Sequence, residues 1–562
     1  MSRRHLPLLP SLSALLLLTA CLGGGNGTTA LSVENRIVPL TLSLQRIGGT
    51  PAGGLGAAEI NAFDAGTLRA FVVNGARGNV DVLDLRNPAA PARLATIDIS
   101  DLGGAVNSVA VHDGLVALAI EASPKTDNGR VAFYRADTLA RIAVVGVGAQ
   151  PDMLTFTPDG SRVLTANEGE PNSYGQAGSV DPEGSVSVIE LNRSGFTLNP
   201  VVRTADFLAF NSQLDALRTQ GVRIYGPGAS VAQDLEPEYI AVDPGGATAY
   251  VTLQENNAIA TLDIATARIT AIRPLATKNF AQTGQGLDPS DEDGGVDTNN
   301  GTAAVKIGNW PVTGLPLPDA VGAYSAGGQT YLVTANEGDA RADWPGFNEE
   351  DRVRSYCTNG LDPAVFPGAT GTNADRLLFD SNLGRLRITR TPNGKDNGKN
   401  ASGQCNKLIA FGTRSFSIWR ASDLNRVYDS GEDLERITAQ AAAAAGATFK
   451  FNSSHDNDTQ DARSPTKGPE PEGLAIGRIG NQTFAFIGLE RVGGVMVYDI
   501  TDPTAVRHVT YLNPRTGATG DNGPEGLSFV PATASPTGDA LLLVSNEVSG
   551  TTAIYAVRSS PR

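Results

Sequence analysis

The sequence predicts an all-β chain: a seven-bladed β-propeller with long loop insertions. Two observations predict it, a four-strand unit that recurs along the chain and an acid that recurs at fixed places inside that unit. A third is negative, because a 3.6-residue apolar period is absent outside short stretches such as residues 432–447, where a short helix is expected.

Each unit opens with Pro or a small residue, then an acid or Asn, then alternating apolar residues. A second apolar strand follows and ends in Asn-Glu or a lone Glu. A Gly-led strand and a more polar fourth strand complete it. Seven copies open at Glu59-Ile60-Asn61, Asn107-Ser108-Val109, Pro151-Asp152-Met153, Glu236-Pro237-Glu238, Pro318-Asp319-Ala320, Pro471-Glu472-Gly473 and Pro524-Glu525-Gly526. Alternation within a strand buries one face against the next blade. The seventh copy ends near Tyr555 after three strands. Residues 38–46, an alternating run near the N-terminus, are expected to supply the fourth and leave no open sheet edge. Extra residues at about 200–235, 275–317 and 339–410, and a smaller block at 440–468, read as insertions clustered on one face.

In a propeller the first strand of each blade lines the axis, so the recurring acid is repeated around it. One tier is Glu59, Asp152, Glu238, Asp319, Glu472 and Glu525, with Asn107 in the second blade. A second tier ends the next strand: Glu121, Glu168, Glu255, Glu337, Glu490 and Glu547, with Asn74 in the first blade. Crowded carboxylates raise one another's pKa unless a cation or a base joins them. Oxygen donors suit Ca²⁺ or Mg²⁺, and the chain has only 4 His and 3 Cys for a softer site. The bases near these acids, Arg341, Arg463, Lys467 and Arg491, are the candidate ligand-binding groups. Two readings fit the same residues: salt bridges that stitch blades together, or a metal or ligand site. A separate run, Asp288 to Asp293 followed by Gly294, resembles the front half of a Ca²⁺ loop. It lacks the closing Glu, since Asn299 stands at that place, and a solvated acidic loop is the expectation. The run 393–398 is a weaker version of the same pattern.

The N-terminus speaks to compartment. Arg3 and Arg4 precede a leucine-rich stretch too short to span a bilayer, and Leu18-Thr19-Ala20-Cys21 resembles a bacterial lipobox. Residues 1–20 then read as a lipoprotein signal peptide, Cys21 as the lipidated residue, 21–35 as a tether and 36–562 as one propeller domain. The alternative is an ordinary signal with a chance cysteine. Cleavage would take two arginines and no acids, deepening the formal charge from −15 to −17. So acidic a chain has no face to neutralise phosphates, which excludes nucleic acid as a partner. Membrane contact is expected only through the anchor, at the outer membrane or cell surface, and the chain is expected to be a monomer. Cys357 and Cys405, the other two cysteines, read as a disulfide in an oxidising compartment, or else as two free thiols.

The long motifs Pro151-Asp152-Met153-Leu154, Asn167-Glu168-Gly169-Glu170-Pro171, Asp234-Leu235-Glu236-Pro237-Glu238, Asn336-Glu337-Gly338-Asp339-Ala340-Arg341 and Lys467-Gly468-Pro469-Glu470-Pro471-Glu472 occur in order. Over residues 50–560 the chain resembles the choice-of-anchor I family, bacterial envelope proteins similar to the mesenchyme-specific cell-surface glycoprotein group. The resemblance implies a YVTN/WD40-like propeller and, from labels on some members, an alkaline phosphatase-like activity without agreed catalytic residues. Two functions follow. One is a surface module that binds an unidentified ligand or partner, with Ca²⁺ as the implied cofactor. The other is a metal-dependent, phytase-like phosphoric ester hydrolase. No Gly-x-Ser-x-Gly elbow is present.

Overall fold

Alternation along the middle strands decides the architecture. In the strand Leu115–Ile120, Val116, Leu118 and Ile120 pack with Phe71, Val73, Val80 and Val82 of the preceding repeat. Leu115, Ala117 and Ala119 turn the other way, onto Val163, Ile189 and Leu191 of the following one. Such a strand is buried on both faces, which is why it is apolar throughout.

The computed structural model describes residues 39–562 except 195, 196, 343, 367–375 and 447. The expected signal peptide, Cys21 and the tether fall outside the described residues. Among those described, the repeats form seven antiparallel four-stranded sheets. The first is Asn61–Asp64, Arg69–Asn74, Asn79–Asp84 and Ala92–Asp98. The second runs from Val106–His112 to Arg141–Ala149, the third from Pro151–Phe156 to Thr197–Asp206 and the fourth from Pro237–Val242 to Arg268–Pro274. The fifth joins Val321–Ala326 and Gln329–Ala335 to Phe416–Arg420 and Arg426–Asp429 across a long insertion. The sixth runs from Pro471–Ile479 to Arg507–Leu512. Four-stranded antiparallel sheets packed side by side in this way make a β-propeller arrangement. The first strand of each packs against the first strand of the next in chain order, and that of the last sheet packs against Asn61–Asp64. Separate apolar clusters fill the spaces between neighbours, and the one between the fourth and fifth sheets holds Trp419, fully buried.

The last sheet takes Pro524–Val530, Ala540–Asn546 and Thr551–Pro561 from the C-terminus and Leu40–Gly49 from the N-terminus. Leu40–Gly49 lies antiparallel to Thr551–Pro561, with Leu40 opposite Pro561 and Gly49 opposite Ala553. The expected closing strand, residues 38–46, thus runs on to Gly49, and Val38 lies outside the described residues. Its Leu42 is buried, Arg46 Nε lies 2.8 Å from Asp521 Oδ2, and the Leu40 N–H donates to Gln482 Oε1 at 2.8 Å.

The insertions differ from expectation in one place. Residues 200–206 are not inserted: they belong to Thr197–Asp206, the fourth strand of the third sheet. The remainder of that block turns through Leu214–Gln220 and Val231–Asp234. Residues 275–317 and 339–410 build a five-stranded sheet, with Thr313–Leu315 parallel to Ile409–Phe411. Its small core contains Cys357 and Cys405, joined in a disulfide with Cα atoms 5.5 Å apart. Closing 48 residues removes about 4 kcal/mol of chain entropy from the unfolded state in the loop-closure account. The expected helix is Asp433–Ala445 and packs Leu434 between the fifth and sixth sheets.

Deleting residues 1–49 strips the last sheet of a strand and exposes the edge Thr551–Pro561. Calorimetry should show a lower Tm for that truncation, and sedimentation should show concentration-dependent association. An unchanged Tm would mean the N-terminal strand does not close the fold.

Candidate functional site

The acid that opens each inner strand is aimed by a local irregularity. In the third, fourth, sixth and last sheets the pairing register breaks just after Pro151, Pro237, Pro471 and Pro524. A bulge there redirects the next side chain, and the next side chains are Asp152, Glu238, Glu472 and Glu525. With Asn107 and Asp319 they line one cavity of about 320 Å³. Glu337, Glu490, Gln254, Asp339 and Arg491 complete much of its wall.

The Asn-Glu-Gly motif divides its labour. The Asn ties the second strand to its neighbour: Asn167 Nδ2 donates to Ser187 Oγ at 3.0 Å and Asn336 Nδ2 to Ser417 Oγ at 2.9 Å. The Glu is the second-tier acid. The Gly turns the chain away in a left-handed conformation, at φ +70° for Gly169 and +103° for Gly338. This corrects the second tier. Asn74 is the strand-tying residue of its motif, so the tier place in the first sheet belongs to Gly75. A Cβ on Gly75 would lie 2.3 Å from Glu59 Oε1 and 2.6 Å from its Oε2. Glu59, counted in the first tier, therefore leans into the space that Gly75 leaves. Of the second-tier acids, Glu337 and Glu490 reach the cavity wall. Glu168 is held by Gln150, and Glu255 is buried with its Oε2 unpartnered. Glu121 is only partly buried.

Burial is the main force that raises these carboxyls, and neighbouring acids add to it. Glu238, Asp319 and Glu472 stand well above the usual carboxylate range, each pushed by burial and then by the second-tier acid of its own sheet: Glu255, Glu337 and Glu490. Glu525 is raised by burial and by Glu59. Glu59, Asp152, Glu255 and Glu337 are pushed up to about 7, burial again leading. Glu547 is raised by burial and by Glu490. Glu472 Oε2 and Glu525 Oε2 accept no hydrogen bond.

The four bases are each engaged by carboxylates, and of them Arg491 alone lines the axial cavity. Arg341 is only 2% exposed and fully engaged, with Nη1 2.7 Å from Asp234 Oδ1 and Nη2 2.8 Å from Glu236 Oε2. Its guanidinium also lies 4.7 Å from the Tyr225 ring. Arg341 is thus a buried stitch between the third-sheet connection and the large insertion, its guanidinium taken up by these two carboxylates. Arg463 makes a two-pronged pair with Glu470, at 2.6 and 2.8 Å. Arg491 Nε lies 2.8 Å from Glu490 Oε2 and 3.3 Å from Glu470 Oε2. Lys467 pairs with Asp339 and lies 3.6 Å from Glu337 Oε1. Burial alone would raise Glu470, but Arg463, Arg491 and Lys467 hold it well below the usual range. The triad Glu337, Glu470 and Glu490, with oxygens within 4.8 Å of one another, is therefore balanced by protein cations. His455 Nδ1 lies 3.1 Å from Glu490 Oε1, half-buried rather than in a solvated loop.

Sequence reading missed Asp234, Glu236, Glu470 and Asp339 as partners. Each stands inside a quoted motif, but none occupies the repeated place, and period alone does not pair residues from different blades. The loop 288–293 is also corrected: Asp288 and Asp293 are buried, while Asp291 and Glu292 pair with Arg385. In the weaker loop, Asp396 pairs with Lys407.

The family model of the choice-of-anchor I domain matches residues 59–503. Gigasin-3a of Magallana gigas is similar, 30% identical over 195 residues, which is 32% of this chain and 67% of the oyster protein. The mesenchyme-specific cell surface glycoprotein of Strongylocentrotus purpuratus is 26% identical over 340 residues, 54% of this chain. The match spans 41% of the urchin protein's length. Among solved structures, the Cps50 (Swd1) β-propeller domain of Myceliophteria thermophila superposes with TM-score 0.43 and 8% identity, covering 92% of this chain and 100% of that one. Hydrazine synthase of Kuenenia stuttgartiensis gives 0.42 and 11%, covering 91% and 97%.

The raised carboxyls set a pH dependence. Folded, they keep protons that the unfolded chain has released above its ordinary carboxylate range, so their stabilisation is full below that range. It is lost as pH rises through about 7. In chelator-treated protein, calorimetry should show Tm falling between about pH 5 and about pH 8. Replacing Glu472 and Glu525 by Gln should flatten that fall. A Tm that rises across the window would overturn this account.

Proposed function

This chain belongs to the choice-of-anchor I family, and from that premise we propose that it is a cell-surface binding module: a closed ring of seven blades, held at the envelope by a lipidated Cys21, whose axial cavity takes Ca²⁺. One observation carries the reading. Asp152, Glu238, Asp319, Glu472 and Glu525 converge from five sheets on one cavity whose lining residues include a single basic group, Arg491. A divalent cation replaces the protons that otherwise keep so many buried acids neutral, and an all-oxygen donor set suits Ca²⁺. The cyclic contacts between first strands support the blade count. Similarity to the mesenchyme-specific cell surface glycoprotein of Strongylocentrotus purpuratus supports display at a cell surface. Leu18-Thr19-Ala20-Cys21 supports the anchor.

The hydrolase reading has less behind it. It needs bases free to neutralise a phosphate, and Arg341, Arg463, Lys467 and Arg491 are each engaged by carboxylates. A surface module asks only that the ring stay rigid and present its loops, which the insertions between strands provide.

Chelator-stripped mature protein should bind Ca²⁺, and Glu472→Gln/Glu525→Gln should bind one equivalent fewer by titration calorimetry. At a hundredfold excess over Kd the axial ion would add about 2.7 kcal/mol of stability. Equal stoichiometry in the two proteins would sink the axial site, and Ca²⁺-dependent aryl-phosphate turnover would restore the hydrolase. Mass analysis of the N-terminal peptide should show a diacylated or triacylated Cys21; an unmodified cysteine there would refute the anchor.

A further inference from the structure

A second group of acids lies outside the axial cavity, where two insertions meet. Asp288 and Asp293 come from the block 275–317, and Asp461 from the block 440–468. Asp288 and Asp461 are fully buried and Asp293 is 4% exposed. One carboxylate oxygen from each lies within 4.8 Å of the others. Opposite ligands of Ca²⁺, each at 2.3–2.6 Å, are about 5 Å apart. The spacing therefore fits one ion.

Asp293 and Asp461 are each held by one donor and leave an oxygen over, whereas Asp288 accepts at both oxygens, the Ser290 N–H lying 3.5 Å from its Oδ1. The Ala304 N–H donates to Asp293 Oδ1 at 2.8 Å, the Lys306 N–H to Asp288 Oδ2, and the Ser464 hydroxyl to Asp461 Oδ1. Asp293 Oδ2 and Asp461 Oδ2 accept from no donor although both are buried. Asn452, whose Nδ2 donates to Ser464 Oγ at 2.8 Å, likewise keeps its buried Oδ1 without a partner. Unpaired buried oxygens cost folding free energy unless something fills the space between them.

No protein cation fills it. Among the described residues none of the three acids has an ion pair with Lys, Arg or His. The nearby bases reach other acceptors, Arg414 Nη1 among them donating to the Asp288 backbone carbonyl at 2.5 Å. Arg414 Nη1 donates to Glu435 Oε1 at 2.5 Å and Nη2 to the Ser464 carbonyl at 2.6 Å. Lys306 Nζ donates to the Ser381 carbonyl at 2.8 Å and Asn382 Oδ1 at 3.1 Å. Burial, then the neighbouring acids, pushes Asp288 well above its ordinary range. Asp461 is pushed up to about 8 by burial, against its bond from Ser464.

We propose that Asp288, Asp293 and Asp461 form a structural Ca²⁺ site that staples the 275–317 insertion to the segment leading into the sixth sheet. The donors are all oxygens, which disfavours zinc and suits Ca²⁺. Unlike the axial cavity, this site serves the fold of the insertions and is independent of the axial reading.

The test uses mature full-length protein stripped with chelator, in the Glu472→Gln/Glu525→Gln background that removes two of the five axial acids. That protein should bind one Ca²⁺ equivalent by calorimetry and metal analysis, and Ca²⁺ should slow tryptic cleavage after Lys306. Adding Asp461→Asn should weaken binding at least about tenfold and abolish the protection. If that variant does not fold, the background protein decides alone. A background protein that is folded by circular dichroism, binds no Ca²⁺ and gains no protection overturns the proposal. Wild-type protein that binds one equivalent, insensitive to the axial substitutions, removes the axial site and leaves this one standing.

Discussion

Mutual repulsion among carboxylates drawn to one axis is the constraint that the rest of the structure answers. Repetition puts an acid at the start of nearly every inner strand, and closing the sheets into a ring brings those acids within reach of one another. A bulge after the proline fixes Asp152, Glu238, Glu472 and Glu525 in place, so their repulsion cannot be relieved by a small slide of the strand. The remaining answers are protons, ions and bases, and bases answer for only some of the acids. Around the fifth and sixth sheets Lys467, Arg463 and Arg491 balance Glu337, Glu470 and Glu490. Across the cavity Asp152, Glu238 and Glu525 have no such partner among the described residues.

The stability of the ring comes from elsewhere. Middle strands such as Leu115–Ile120 carry apolar side chains on both faces and fill the spaces between sheets. The ring can therefore afford an acidic centre, because its cohesion lies at intermediate radius and its closure lies in Leu40–Gly49 against Thr551–Pro561. The insertions follow another logic. The strands of their five-stranded sheet are only two or three residues long, and the insertions are held by the Cys357–Cys405 disulfide and by buried ion pairs. Arg223 with Glu349 and Arg414 with Glu435 are such pairs, both shielded from water. Removing one partner from a pair of this kind strands a charge, which is the costly direction.

The axial acids were legible because they are periodic. Asp152, Glu238, Asp319, Glu472 and Glu525 share one place in the unit, and a place in a repeated unit is a place around an axis. Asn74 was misread for the same reason: it matches the residue before the acid in Asn167-Glu168 and Asn336-Glu337, and Gly75 offers no side chain to count. The partners of Arg341 were not legible because nearness in sequence to Glu337 says nothing about Asp234 and Glu236, which reach it from the connection between the third and fourth sheets. Asp288 and Asp293 looked solvated because a run of acids ordinarily is. Only Asp461, some 170 residues on, shows what they face.

By itself, the sequence determined the strand units, their alternation, the closing N-terminal run and the acids of the inner strands, since each rests on a short period or a local motif. Tertiary structure decided which acids are paired, which are left to protons or ions, and that Glu59 fills the gap over Gly75. Those choices depend on contacts between residues far apart in the chain. Charge interactions at a few ångströms are set by where the backbone brings such residues together, and no local pattern encodes that distance.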